Sequence, residues 1–117
     1  MAEALQVGHI VWVEMADANG VRKLRPAVVV TPGERIASAE WLEVVAITSQ
    51  VPRRLPADHV ALPWHRQGHP RTGLKRKCAA VCSWLAHIRS ADIQDVAGIV
   101  PGPVMFEIAA RLAARGV

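Results

Sequence analysis

Apolar residues in this chain come in short runs that are separated by glycine, proline and charged residues, a pattern typical of β-strands. Five such runs predict strands at residues 9–15, 26–31, 41–49, 59–62 and 78–85. The second run begins with a proline, which is tolerated as the first residue of a strand. Short strands at this spacing favour a small barrel or sandwich over a fold in which strands alternate with helices.

The period of the apolar residues changes near the C-terminus. Four of them follow the i, i+3, i+4, i+7 spacing of one helix face: Met105, Ile108, Ala109 and Leu112. Pro103 suits the first turn of a helix and Gly116 suits its end, so a helix is predicted over residues 103–116. We expect its apolar face to pack on the strands. Residues 16–23 and 32–40 are predicted as loops.

Length and composition indicate one globular domain over residues 1–117. The chain has 117 residues, a common domain size, and 51% of them are hydrophobic, which is too many for a disordered chain. No apolar run approaches the roughly 18 residues of a membrane span, and the N-terminus lacks the basic flank and apolar stretch of a signal peptide. We therefore expect a cytoplasmic protein that does not associate with a membrane.

The two cysteines, Cys78 and Cys82, are expected to be reduced and packed in the core. They lie four positions apart in a segment that looks extended, which is poor geometry for a disulfide. Two cysteines without a second pair of ligands also make an incomplete zinc site.

Positive charge is concentrated in residues 53–77, which we call the basic segment. It holds seven Lys and Arg residues and one acid, Asp58, while the formal net charge of the whole chain is only +4. Such a concentration is the electrostatic footprint of a surface that binds a polyanion, either nucleic acid or an acidic protein. A solvated face that only keeps the protein soluble is the alternative.

Three strings in the first half of the chain resemble motifs of the MazF/PemK family of toxin endoribonucleases. They are VGHIVWVEM, RPAVVVTP and VVAITSQ, in the order and spacing of the family. HIRSADI, at residues 87–93, is similar to a later family segment, so the resemblance runs from about residue 7 to residue 112. It implies a mainly β fold, a small SH3-like barrel with a C-terminal helix, that assembles as a two-fold homodimer.

The resemblance also implies a function, cleavage of single-stranded RNA by the toxin of a type II toxin–antitoxin system. Cleavage would need no metal or other cofactor, and an acidic antitoxin protein would inhibit it. When the substrate's own 2′-hydroxyl attacks the phosphate, the enzyme must supply fixed positive charge and groups that transfer protons. Arg25 matches the catalytic arginine of the family, and a guanidinium can bond two phosphate oxygens. Thr48 matches the second catalytic residue, whose hydroxyl can bond a phosphate oxygen.

Several neighbours are candidates for accessory or acid–base roles. Ser49 and Gln50 follow Thr48 directly. His65 and His69 lie in the string PWHRQGHPRTGL, and imidazoles titrate near neutrality. No metal site is expected there, because the prolines and glycines of the string exclude a helix and no third ligand is near in sequence.

Most residues expected to bind RNA belong to the basic segment. Its cations can contact phosphates, and a tryptophan can stack on an unpaired base. The set is Arg53, Arg54, Trp64, Arg66, Arg71, Lys75, Arg76 and Lys77. Trp12 is a second candidate for stacking, whereas Trp41 and Trp84 lie in apolar strand patterns and are expected in the core.

Two places depart from the family pattern. Lys23 and Leu24 precede Arg25, where many members carry an acid, and Ala86 and His87 stand where an acid and a glutamine are common. These departures leave open which residues act as acid and base and which RNA sequence is read. A barrel that binds nucleic acid or an acidic protein without cutting is therefore an alternative. Binding of a protein target, as in the family's distant gyrase-poisoning relatives, is another.

Overall fold

Strands dominate the part of the chain, residues 4–116, that the computed structural model describes. The elements in chain order are β1 (His9–Ala16), β2 (Arg22–Val29), α1 (Gly33–Ile36), β3 (Leu42–Thr48), β4 (His59–Ala61), β5 (Ala79–Ile88), β6 (Asp95–Ile99) and α2 (Gly102–Ala114). A single 3-10 turn, Ser90–Asp92, joins β5 to β6. No helix in this part of the chain is long and apolar enough to cross a membrane.

The strands form one antiparallel sheet in the order β4-β5-β3-β2-β1-β6. The mainly β fold with a C-terminal helix is therefore confirmed. Within residues 4–116 the two edge strands, β4 and β6, do not pair with each other, so the sheet is open. The closed barrel thus stays a prediction.

The central strands are buried on both faces of the sheet, which explains their uninterrupted apolar runs. In β2, Val28 packs in the cluster that α2 covers, while Ala27 and Val29 pack in the cluster on the opposite face. In β3, Val45 faces the α2 side and Val44 the other side. Helix α2 contributes two buried side chains to its cluster, Ile108 and Leu112. The helix predicted at residues 103–116 is confirmed in position, and Met105, Ile108 and Leu112 of its predicted apolar face pack on the sheet. Ala109, expected on the same face, is exposed.

All five predicted strands are present, but four expectations were wrong: the extents of two loops, Pro26 as the first residue of a strand, and the burial of Trp41. Strand β2 begins at Arg22, inside the predicted loop 16–23, and the predicted loop 32–40 contains α1. Pro26 consequently lies inside β2 and not at its start. Strand β3 pairs only with residues 27–29 of β2, so β2 has an unpaired edge at Pro26. A residue without a backbone N–H is tolerated at such an edge. Trp41 is 47% exposed because it precedes β3 and does not reach the core.

Strand β6 was not predicted. Its sequence, DVAGI, contains an acid and a glycine and lacks a clear alternation of apolar and polar residues. It pairs only with β1, as an edge strand, and its residues are exposed or half-buried. The cysteines, by contrast, are free and buried as expected, and burial raises the pKa of the Cys78 thiol to about 11.

Segment 63–74 folds back on β6 at Gly98. The amide of Ile99 donates to the carbonyl oxygen of Arg71 at 2.8 Å. A Cβ on Gly98 would lie 2.6 Å from the carbonyl carbon of Thr72 and would also collide with the Arg71 carbonyl oxygen. Only glycine therefore allows the segment to approach β6 this closely.

Gly98→Ala is expected to lower the free energy of unfolding by about 3 kcal/mol, because the added methyl group forces two backbone segments apart. Gly33→Ala is the matched control, since a Cβ at Gly33 meets nothing within 4 Å. It should change stability by less than about 0.5 kcal/mol. Urea denaturation followed by tryptophan fluorescence measures both values. Equal stabilities of the two variants would contradict the contact between segment 63–74 and β6.

Candidate active-site groove

A groove of about 1010 Å³ lies beside residues 23–26 of β2 and the C-terminal end of β3. Six of the predicted site residues line it: Arg25, Thr48, Ser49, Gln50, Lys75 and Arg76. Lys23 adds a further cation, Trp12 and Trp84 add aromatic rings, and Asp17 and Asp95 add carboxylates. A groove with this lining suits an anion that carries flat apolar groups.

The register of β2 against β3 explains why Arg25 and Thr48 share the groove. Ala27 pairs with Ala46, and continuing this register by two residues sets Arg25 opposite Thr48. Side chains two positions apart along a strand lie on the same face. Both residues therefore lie on the face of Ala27 and Ala46, opposite to α2.

The guanidinium of Arg25 is held by three neighbours and is only 19% exposed. Its Nη2 lies 3.6 Å from Oδ2 of Asp17, and its Nε donates to the carbonyl oxygen of Met15 at 3.4 Å. The guanidinium carbon also lies 5.2 Å from the ring centroid of Trp84, a cation–π arrangement. Arg25 is thus oriented before any ligand arrives.

Asp17 fixes both the β1–β2 turn and Arg25. Its Oδ1 accepts backbone hydrogen bonds from Asn19 at 2.8 Å and Val21 at 3.0 Å, and Gly20 completes the turn with a φ of +80°. The Val21 amide contributes most to lowering the pKa of Asp17, with smaller contributions from the Asn19 amide and the charges of Arg25 and Lys23. Asp17 is therefore a weak base and a suitable partner for a cation.

Sequence reasoning did not select Asp17. The Asn19-Gly20 pair indicates a turn, but the ion pair with Arg25 depends on the hairpin register, in which Val13 pairs with Arg25. A carboxylate near Arg25 is thus provided by the β1–β2 turn, although no acid stands just before Arg25 in sequence.

Thr48 ends β3, and its side chain is half-buried at the groove. Its Oγ1 accepts a hydrogen bond from the amide of Gln50 at 3.1 Å, which turns the chain after the strand. Because the hydroxyl oxygen is used as an acceptor, its proton is left to donate to a ligand. Asp95, on the other side of the groove, accepts a bond from the Val96 amide at 2.9 Å.

The other predicted site residues do not line this groove. They are Arg53, Arg54, Trp64, His65, Arg66, His69, Arg71 and Lys77. The basic segment is therefore split, and of its seven cations only Lys75 and Arg76 line the groove. For the residues outside it, the predicted binding and acid–base roles stay predictions.

His65 and His69 hold the backbone of segment 63–74. Nδ1 of His65 accepts from the Gln67 amide at 3.1 Å, and Nδ1 of His69 accepts from the Arg71 amide at 3.1 Å. The buried Thr72 completes this network by donating from its hydroxyl to the Pro63 carbonyl oxygen at 2.8 Å. In residues 4–116, no three His, Cys, Asp or Glu side chains are placed to hold a metal ion together.

Comparisons with known proteins show the family of the chain. The sequence model described as PemK-like, MazF-like toxin of type II toxin–antitoxin system matches residues 6–115. No curated protein sequence matches the chain.

Solved structures share the fold at low sequence identity. A MazF from Deinococcus radiodurans superposes with a TM-score of 0.72 at 19% identity, over 99% of this chain and 100% of that one. A MazE–MazF complex from the same organism gives 0.71 at 18% identity, over 95% and 94%. An endoribonuclease from a mycobacterial species, in complex with its cognate antitoxin, gives 0.69 at 19%, over 95% and 93%.

Asp17→Asn should destabilise the protein at pH 7, because an amide can still accept the turn hydrogen bonds but cannot balance the charge of Arg25. The pKa of Asp17 is lowered on folding, so its stabilising contribution is complete above the pKa of the unfolded chain. It is lost as the pH falls through the folded-state pKa. The urea midpoints of wild type and variant should therefore differ by a constant amount well above pH 3.8 and approach each other only as the pH falls below it.

Glu34→Gln is the control for this experiment, since Glu34 is an exposed acid on α1. Its midpoint difference from wild type should stay small throughout the series. A difference for Asp17→Asn that does not change with pH would contradict a role for its charge.

Proposed function

We propose that this chain, which belongs to the PemK-like, MazF-like toxins of type II toxin–antitoxin systems, cleaves single-stranded RNA in the cytoplasm without a metal ion. The observation that supports the proposal best is a single groove that is lined by Arg25 and Thr48 together with three further cations, Lys23, Lys75 and Arg76. Phosphates attract these cations, and unpaired bases can stack on the aromatic rings of the same groove.

In the proposed reaction the 2′-hydroxyl attacks the neighbouring phosphate and the 5′-oxygen leaves, so negative charge builds up on the phosphate oxygens. Arg25 stabilises this charge, because a guanidinium donates to two oxygens at once. Asp17, the Met15 carbonyl and Trp84 already orient the group, so little ordering remains when RNA binds.

Thr48 complements Arg25 from the opposite strand. Its hydroxyl oxygen is engaged by the Gln50 amide, so its proton can be donated to a phosphate oxygen or used to position the 2′-hydroxyl. Ser49 and Gln50 lie beside it in the groove and are proposed as accessory contacts.

Two partners belong to the same proposal. An acidic antitoxin would occupy the cationic groove and exclude RNA, and the half-exposed Leu24 and Val96 on the groove lining offer contacts for its apolar side chains. A second copy of the chain would complete a two-fold homodimer. The proposal is supported by solved relatives that carry the names MazE–MazF and endoribonuclease with its cognate antitoxin.

A groove that binds RNA without cutting it is the second candidate function. One observation favours it: neither His65 nor His69 lines the groove. Asp17 is a poor proton acceptor because its pKa is lowered. This candidate predicts binding that weakens with salt, without cleavage products.

Arg25→Ala is expected to slow RNA cleavage by about 100-fold or more, because it removes the charge that the transition state needs. The assay uses a fluorescent single-stranded RNA in EDTA, and the 5′ products of wild type should end in a 2′,3′-cyclic phosphate. Arg35→Ala, which removes an exposed arginine of α1, is the control and should cleave at the wild-type rate. Full activity of Arg25→Ala would overturn the catalytic assignment.

Substitution of the two histidines separates their possible roles. If His65 and His69 serve only to hold segment 63–74, then His65→Ala and His69→Ala should lower stability and leave the cleavage rate nearly unchanged. A residue that transfers a proton in the reaction would instead cost roughly 100-fold or more. Rates measured at saturating RNA, together with urea midpoints, distinguish the two cases for each residue.

A further inference from the structure

A second cavity, of about 710 Å³, adjoins the groove at Trp84. Trp84 lines both cavities, and Trp41, His87 and Gln94 line the second one. The guanidinium carbon of Arg25 lies 5.2 Å from the ring centroid of Trp84. This cavity is therefore adjacent to the proposed phosphate position at Arg25.

Trp41 is presented to this cavity as a fixed aromatic platform. Its side chain is 47% exposed, although a tryptophan in an apolar pattern was expected in the core. The guanidinium carbon of Arg89 lies 4.5 Å from the ring centroid of Trp41, and Nη2 of Arg89 lies 3.8 Å from Oε1 of Glu40. A cation stacked on the ring and held by an acid restrains the ring without covering it entirely.

The charged side chains that line this cavity are one cation, Arg22, and two carboxylates, Glu14 and Asp92. Arg22 and Glu14 form an ion pair, with Nε 3.0 Å from Oε1. Asp92 accepts a hydrogen bond from the Arg89 amide at 2.9 Å, which closes the 3-10 turn. The cavity therefore lacks the excess positive charge that a phosphate requires, whereas the neighbouring groove has it. A neutral, flat group with polar edges suits the lining better.

We propose that this cavity is a nucleobase subsite, in which an RNA base next to the scissile phosphate stacks on Trp41. His87 and Gln94 supply donors and acceptors for the edge of that base. The inference rests on the proposed function and deepens it, since the groove would hold the phosphates while this cavity reads a base. Stacking on an aromatic side chain is indifferent to base identity, so His87 and Gln94 would carry the selectivity.

The test combines Trp41→Ala with the loss of single bases. The cleavage site of wild type is first mapped on a natural RNA, and an uncleavable 2′-O-methyl strand of that sequence is made. A series of such strands, each with one abasic position, is then titrated against wild type and variants by fluorescence anisotropy. At one position next to the cleavage site, loss of the base should weaken binding to wild type by about 5- to 150-fold.

For Trp41→Ala the same abasic strand should bind no more weakly than the intact strand, because the stacking partner is already gone. Trp41→Phe keeps a ring and should restore part of the difference. Phe106→Ala is the comparison variant, since Phe106 on α2 is 78% exposed and lines neither cavity, and it should keep the full abasic effect. Trp64→Ala is measured beside it, because Trp64 is the predicted stacking residue of the basic segment.

The outcomes distinguish a failure of the nucleobase subsite from a failure of the endoribonuclease proposal on which it rests. Wild-type cleavage with an abasic effect that persists in Trp41→Ala would overturn the subsite and leave the endoribonuclease proposal standing. An abasic effect abolished by Trp64→Ala instead would place base recognition on the basic segment and also overturn it. If wild type neither cleaved nor bound any strand, both proposals would fall.

Discussion

The structure depends on the pairing of β2 with β3, two strands that are buried on both faces of the sheet. A slip of one residue would turn every side chain of a strand to the other face. Because both faces are packed, the register that pairs Ala27 with Ala46 is strongly fixed. Arg25 and Thr48 each stand two residues beyond that pair, so the packing of the core itself brings them to one face of one groove.

A long arginine side chain loses much rotamer freedom when it binds a ligand, and that loss weakens binding. In this chain Arg25 loses much of its rotamer freedom already on folding, since the β1–β2 turn, strand β1 and strand β5 each contribute one contact to it. The same carboxylate that shapes the turn also holds the guanidinium. Asp17 therefore links the stability of the β1–β2 hairpin to the orientation of Arg25 in the groove.

The strands and α2 could be predicted because their apolar periodicity is local, and Arg25 and Thr48 stood out through the motifs around them. Two other features depend on tertiary contacts. Edge strand β6 is held by pairing with β1, despite an acid and a glycine in its sequence. The basic segment was expected to form one surface, but a hydrogen bond from Ile99 to Arg71 holds segment 63–74 against β6, and of the seven cations only Lys75 and Arg76 line the groove. Charge proximity in sequence did not give charge proximity in space.

Phosphate contacts bind any RNA, whereas base contacts distinguish one sequence from another. In our proposal the two cavities that share Trp84 divide these tasks, because cations are in excess in the groove and not in the second cavity. Ala86 and His87, where the chain departs from the family pattern, line the second cavity and not the groove of Arg25 and Thr48. If that cavity reads a base, this departure changes which RNA sequence is selected and leaves the chemistry at the phosphate intact.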